Sequence, residues 1–182
     1  MNLIIKPLSP CIIEDYLFFF DNMVFSENPD WSKCYCYSYH FTGANEEWDK
    51  KRNRSAVIEL IKEGKMTGYL AYDGNVAVGW CNATNKKNYQ LFTDNEITQS
   101  NLCSIVCYLI SPEYRRKGIA QKILERVIND YTKEGYDYIE AYPRKDKHSC
   151  ERNYHGHLSL YEKYKFSVIK EFDDHFVVRK KL

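Results

Sequence analysis

Six consecutive residues, Arg115-Arg116-Lys117-Gly118-Ile119-Ala120, carry the clearest chemistry in this chain. They stand between an apolar run, Ser104 to Ile110, and a segment of strong helical periodicity. A short run of Ile, Val and Tyr without polar alternation reads as a strand covered on both faces. Ser111-Pro112 closes it, because proline cannot donate to a ladder and pushes its predecessor away from helix. A basic loop turning on glycine at a helix N-terminus suits a polyanion. Its N–H groups and the helix dipole converge on negative charge, and glycine allows close backbone approach. One glycine among basic residues also describes a solvated loop, so the order strand, proline, loop, helix is what favours the anion reading.

Other residue types suit proton transfer and acceptor binding. Glu140 sits in Tyr138-x-Glu140-x-Tyr142, on one strand face with two tyrosines. Partial burial there would raise its pKa, which suits a base for an ammonium. A structural Glu140 paired with Arg144 or a backbone group is the alternative. Trp31, Tyr35, Tyr37 and Trp80 are candidate walls of an aromatic acceptor pocket for a flat or cationic amine. Trp80 would serve equally well in the core of its hairpin. Cys34-x-Cys36, His148-x-Cys150 and His155-x-His157 offer soft ligands, but structural zinc sites favour wider gaps, so no metal is expected.

Arg115-x-x-Gly118-x-Ala120 fits residue for residue the Gln/Arg-x-x-Gly-x-Gly/Ala cofactor loop of the GNAT N-acetyltransferase superfamily. Ser159-Leu160-Tyr161-Glu162-Lys163-Tyr164-Lys165-Phe166 resembles that family's Leu-Tyr-Glu-Lys-x-Gly-Phe helix end, with Lys165 where the family has glycine. The resemblance implies acetyl-CoA as cofactor, its pyrophosphate held by Arg115, Arg116, Lys117, Gly118, Ile119 and Ala120. It implies a pantetheine arm between two splayed parallel strands, bound by the backbone of Tyr108, Leu109 and Ile110, with an N–H near Leu109 facing the thioester oxygen. Tyr161 matches the family's tyrosine that protonates the departing thiolate; the other reading packs it in the core beside Leu158 and Tyr164. Glu140 or a water relay would remove the amine proton. The implied reaction is acetyl transfer to a primary amine of a small molecule, by direct attack in a ternary complex. A protein or peptide N-acetyltransferase and a non-catalytic CoA-binding regulatory module are the alternatives.

To position these residues the chain has 182 residues, enough for one domain over 1–182 with a good-sized core. A net charge of +1 argues against a nucleic-acid surface. No apolar run reaches bilayer length and the N-terminus lacks a signal pattern, so a cytoplasmic protein with no membrane partner is expected. Seven cysteines, an odd number, read as reduced thiols. Monomer and homodimer both stay open.

The expected architecture is a single GNAT-like α/β domain, a mixed central β-sheet flanked by helices. Strand Leu3 to Pro7 and a helix from Ser9 to Asn22 come first, then an irregular aromatic stretch and a helix from Glu46 to Glu63 capped by Asn45. Thr67 to Ala71 and Val76 to Asn82 form a hairpin through Asp73-Gly74, with a bulge or close approach at Gly79. After a polar loop over 85–100 come the anion loop, a helix from Lys117 to Glu134 and strand Tyr138 to Tyr142. The helix makes the flanking strands parallel neighbours. A charged loop, a helix from Gly156 to Tyr164 and the hairpin Ser167 to Phe172 with Phe176 to Lys180 complete the chain.

Overall fold

The computed structural model describes residues 2–92, 101–145 and 153–182. Seven strands form one sheet in the order β1-β2-β3-β4-β5-β7-β6. They are β1 (Leu3–Pro7), β2 (Gly68–Asp73), β3 (Val76–Asn85), β4 (Leu102–Ile110), β5 (Tyr138–Ala141), β6 (Ser167–Glu171) and β7 (Phe176–Lys181). All neighbours are antiparallel except β4 and β5, which are parallel and joined by the crossover helix α3 (Ile119–Lys133). Two apolar layers cover the faces. One gathers Tyr16, Phe20, Trp80 and Val106 beneath α1 (Ile13–Phe18) and α2 (Lys50–Lys62). The other gathers Ile105, Ile123, Leu124, Val127 and Tyr161 beneath α3 and α4 (Leu158–Lys163).

Element boundaries differ from the sequence reading where a local bond decides. Helix α2 starts at Lys50, because the Asp49 side chain accepts from the Arg52 N–H at 3.0 Å; the Asn45 stretch is only a 3-10 turn. The first helix is interrupted, with a 3-10 turn before α1 and a π turn over Phe19–Met23 after it. The hairpin carries its bulge beside Gly79. Ala71 faces Gly79 and Tyr72 faces Ala77, so Val78 is the extra residue. A Cβ on Gly79 would stand 2.8 Å from Ile110 Cδ1, which is the close approach that glycine signals. Lys165 takes the left-handed turn (φ 62°) that glycine usually supplies, so the replacement preserves the helix end at some strain.

A second bulge shapes the site. Asn82 faces Cys107 while Ala83 faces Ile105, leaving Val106 unpaired by β3. Parallel pairing of β4 with β5 stops at the same level, Ile105 opposite Ala141. Beyond it the strands part, which opens the edge of β4 from Val106 to Ile110.

Candidate active site

Gly118 lies in the left-handed region (φ 76°) and caps α3; Arg116, two residues earlier, is also left-handed (φ 60°). Alternation of this kind turns successive N–H groups to one side, where the α3 dipole adds positive potential. The loop and the first turn of α3 form one wall of a groove of about 660 Å³. Of the residues expected at the cofactor, Tyr108, Ile110, Arg115, Arg116, Gly118, Ile119 and Ala120 line it, with His157, Ser159 and Leu160 opposite. Lys117 turns to the Tyr114 ring at 4.8 Å, and Leu109 lines the adjoining hollows instead. Arg115 reaches the Ile110 carbonyl at 3.3 Å and Glu27 at 2.6 Å. Two arginines, a left-handed glycine and a helix N-terminus fit a diphosphate, so the residues present suit the coenzyme.

The open strand edge narrows which N–H near Leu109 is free to face a ligand. Tyr108 N–H donates to the Tyr154 carbonyl at 2.5 Å, and Ser111 N–H to Val78 at 3.0 Å. N–H groups alternate along a strand, so Leu109 points its own towards β3, where it faces Trp80, and Ile110 points to the gap. The chain's own Tyr154 already occupies the added-strand position at Tyr108. Ile110 therefore offers the open-edge N–H next to the groove.

Tyr161 is fully buried, and its hydroxyl donates to the His155 carbonyl at 2.6 Å. Burial pushes the phenol well above its usual range. Its ring packs edge-on against Phe166, 5.3 Å between centroids. It does not line the groove. Gly156 does, and a Cβ there would stand 3.0 Å from the Tyr161 hydroxyl, so the phenol sits one glycine behind the wall.

Glu140 departs from expectation in charge state and in place. It is 1% exposed and accepts from Lys86 at 2.8 Å, Tyr142 at 2.7 Å and the Arg179 fork at 3.0 and 2.6 Å. Burial alone would raise its pKa, but Lys86, Tyr142 and Arg179 together hold it below the usual carboxylate range. The carboxylate is an anion with four donors, and Arg144 binds Asp174 instead. The recess that Glu140 lines shares no described residue with the cofactor groove.

A cavity of about 350 Å³ lies on the other side of the β4 edge, lined by Trp31, Cys34, Cys36, Tyr39, Trp48, Cys107, Leu109 and Tyr154. Exposed Asp30 and Lys33 stand at its rim. A small hollow of about 50 Å³ joins it to the groove, sharing Trp31, Leu109 and Tyr154 with the cavity and Tyr108, Ile110 and Arg115 with the groove. Of the expected acceptor residues only Trp31 lines the cavity. Tyr35 is buried with its hydroxyl on Asp21, Tyr37 stacks on Trp48 at 6.1 Å, and Trp80 packs in the core against Tyr16 at 5.0 Å. Left-handed Tyr35 and Cys36 turn the wall inward, clamped by Tyr16 on the Tyr35 carbonyl (2.6 Å) and Asn82 on the Cys36 carbonyl (3.3 Å). Burial pushes the Cys34 thiol up to about 11, which keeps it protonated at neutral pH. The six described cysteines are free thiols; His148 and Cys150 lie outside the described residues.

The model of the acetyltransferase (GNAT) family matches residues 27–166, well over half of the chain. The chain belongs to the GNAT family. It is an acetyl-CoA-dependent acetyltransferase, and the matched range includes the groove at Gly118. No curated protein sequence matches closely enough to count as a relative. Solved structures share the fold at low identity. The PaiA N-acetyltransferase of Thermoplasma acidophilum, solved with coenzyme A, aligns over 100% of both chains at 15% identity and TM-score 0.61. The ribosomal-protein-S18-alanine N-acetyltransferase of Escherichia coli aligns over 98% of this chain and 93% of its own, at 11% identity and TM-score 0.58. A chain of the NatC complex bound to Gag peptide and CoA aligns over 100% of this chain and 99% of its own, at 17% identity and TM-score 0.61. No helix among the described residues is long and apolar enough to cross a membrane.

Proposed function

We propose that this acetyltransferase acts on the primary amine of a small molecule, by direct attack in a ternary complex. The observation that carries the reading is the aromatic cavity beside the β4 edge: about 350 Å³, bounded by Trp31, Tyr39, Trp48 and Tyr154, and joined to the groove at Leu109. That volume suits a small ligand, whereas a peptide backbone needs an extended trough. Acetyl-CoA supplies an activated acyl group when bound. Arg115, Arg116 and the N–H groups around Gly118 hold its diphosphate, and the Ile110 N–H stabilises charge growing on the carbonyl oxygen. Glu140, pinned by two cations, serves structure, so the amine proton leaves through water at the cavity mouth.

Tyr161 braces the segment that closes the groove. Tyr161→Phe is expected to cost about 1 kcal/mol, the worth of one hydrogen bond, and to leave kcat within a few-fold. Thermal unfolding with steady-state kinetics checks this. A drop in kcat of about 100-fold at unchanged coenzyme affinity would return Tyr161 to the chemistry as the thiolate's acid.

The reading itself is tested by thiol release from acetyl-CoA with small amines on one side and N-terminal or lysyl peptides on the other. Turnover confined to small amines is expected. Turnover confined to peptides would make the protein a peptide acetyltransferase, and coenzyme binding without any turnover would make it a regulatory module.

A further inference from the structure

The recess that holds Glu140 has about 650 Å³ and shares Tyr39 and Tyr154 with the acceptor cavity. Its lining is unbalanced in charge: Lys86, Arg144, Lys170 and Arg179 against Glu140 and Asp174. Lys170 is exposed, but the rest of the excess is not. Lys86 and Arg179 both bind the single Glu140 carboxylate, so one positive charge is left over where Lys86 is only 5% exposed. Glu140 is the one oxygen partner of the Lys86 ammonium among the described residues, and the Phe92 ring lies 4.5 Å away.

Two further polar atoms have no partner among the described residues. Arg144 Nε is buried without a hydrogen-bond partner, since Asp174 reaches only Nη2, at 3.3 Å from an exposed position. His155, 6% exposed, has its Nδ1 buried and unpartnered as well. Burial holds this imidazole neutral, its pKa lowered to about 4. An unsatisfied buried polar group costs about 1–3 kcal/mol, so two on residues of one recess mark a place where a ligand completes the bonding. Surplus cations and the part-exposed Arg144 guanidinium select an anion, and arginine matches planar carboxylate or phosphate oxygens.

We infer that this recess binds an anionic group, a carboxylate or a phosphate, carried by the same acceptor whose amine enters the adjoining cavity. The acceptor is then a zwitterionic small amine, spanning Tyr39 and Tyr154 from the amine site to Arg144. The inference rests on the small-amine reading of the cavity and gives that reading a substrate class.

The test uses primary amines of matched chain length ending in a carboxylate, a phosphate or a carboxamide, titrated by calorimetry into the CoA-loaded protein. The carboxylate series, the phosphate series or both should bind about 10- to 100-fold more tightly than the carboxamides, the worth of hydrogen bonds to a charged group. Which series leads identifies the anion. Arg144→Gln should abolish the preference while CoA affinity stays unchanged; its one ion pair among the described residues is solvent-exposed, so the fold should tolerate the change. Arg144→Lys, which keeps charge without the fork, should retain part of the preference. Equal binding of the carboxamides, no binding by either anionic series, or equal weakening of all series by Arg144→Gln would overturn the anion site. Charge-blind turnover with CoA bound would sink this inference alone, whereas failure of CoA to bind would take the acetyl-transfer reading with it.

Discussion

Gly118→Val is expected to weaken coenzyme A binding by about 100-fold, with the fold intact. Gly118 holds φ at 76°, which a β-branched side chain adopts only under strain. A Cβ there meets nothing within 4 Å, so the protein itself has room for it. The damage falls on the ligand side, where the branched methyls enter the diphosphate's space and the relaxed loop turns its N–H groups away. Losing one or two charge-assisted hydrogen bonds, at about 1.5–3 kcal/mol each, gives that factor. Calorimetric titration measures it, and thermal unfolding monitors the fold. Unchanged affinity in a folded variant would refute the anion loop and leave the catalytic account without its anchor.

Glu140→Gln should be the most destabilising single change at the site, by roughly 3–5 kcal/mol, because it leaves Lys86 and Arg179 facing a neutral amide in a buried place. For a chain of this size that lowers Tm by roughly 6–20 °C. The sign of the pH effect follows from the depressed pKa. The unfolded chain takes up the proton first as pH falls, so Glu140 stabilises the fold above the ordinary glutamate pKa, and that stability is lost as pH drops through the lower folded value. Wild type should therefore lose stability in this acid range, and the Gln variant should lack that part of the loss. Denaturant unfolding across the acid range measures both. A variant of wild-type stability whose pH–rate profile moved on its acidic limb would restore Glu140 as the base.

Much of the frame was legible before any coordinates. The strand, proline, glycine and helix signals around Arg115–Ala120 are local, and each was found within a few residues of its expected place. The unpolarised run of β4 correctly announced a strand buried on both faces, and α3 a crossover helix. Of the four rings that the sequence offers as pocket walls, only Trp31 lines the cavity. Trp80 and Tyr35 are as apolar as Trp48 and Tyr39, and composition does not tell a core ring from a cavity ring. Only the left-handed turn at Tyr35 and Cys36 decides that. The signal available in sequence for Tyr154 and Arg144 was position alone, beside a charged loop.

Glu140 shows the limit most sharply. Its strand context correctly predicted burial, and burial by itself predicts a raised pKa. The cations that reverse the sign come from Lys86, after β3, and Arg179, on β7, far away in the chain. What this sequence determined on its own is whatever depends on neighbours within a turn or a strand: element order, the glycine-centred loop before α3, the fold class. What only the tertiary structure decided is whatever depends on distant partners: which N–H faces the gap in β4, which rings wall the cavity, and whether a buried carboxylate keeps its charge. Local propensity acts over a few residues, whereas electrostatics and packing act over a few ångströms between segments whose separation along the chain carries no record of their contact.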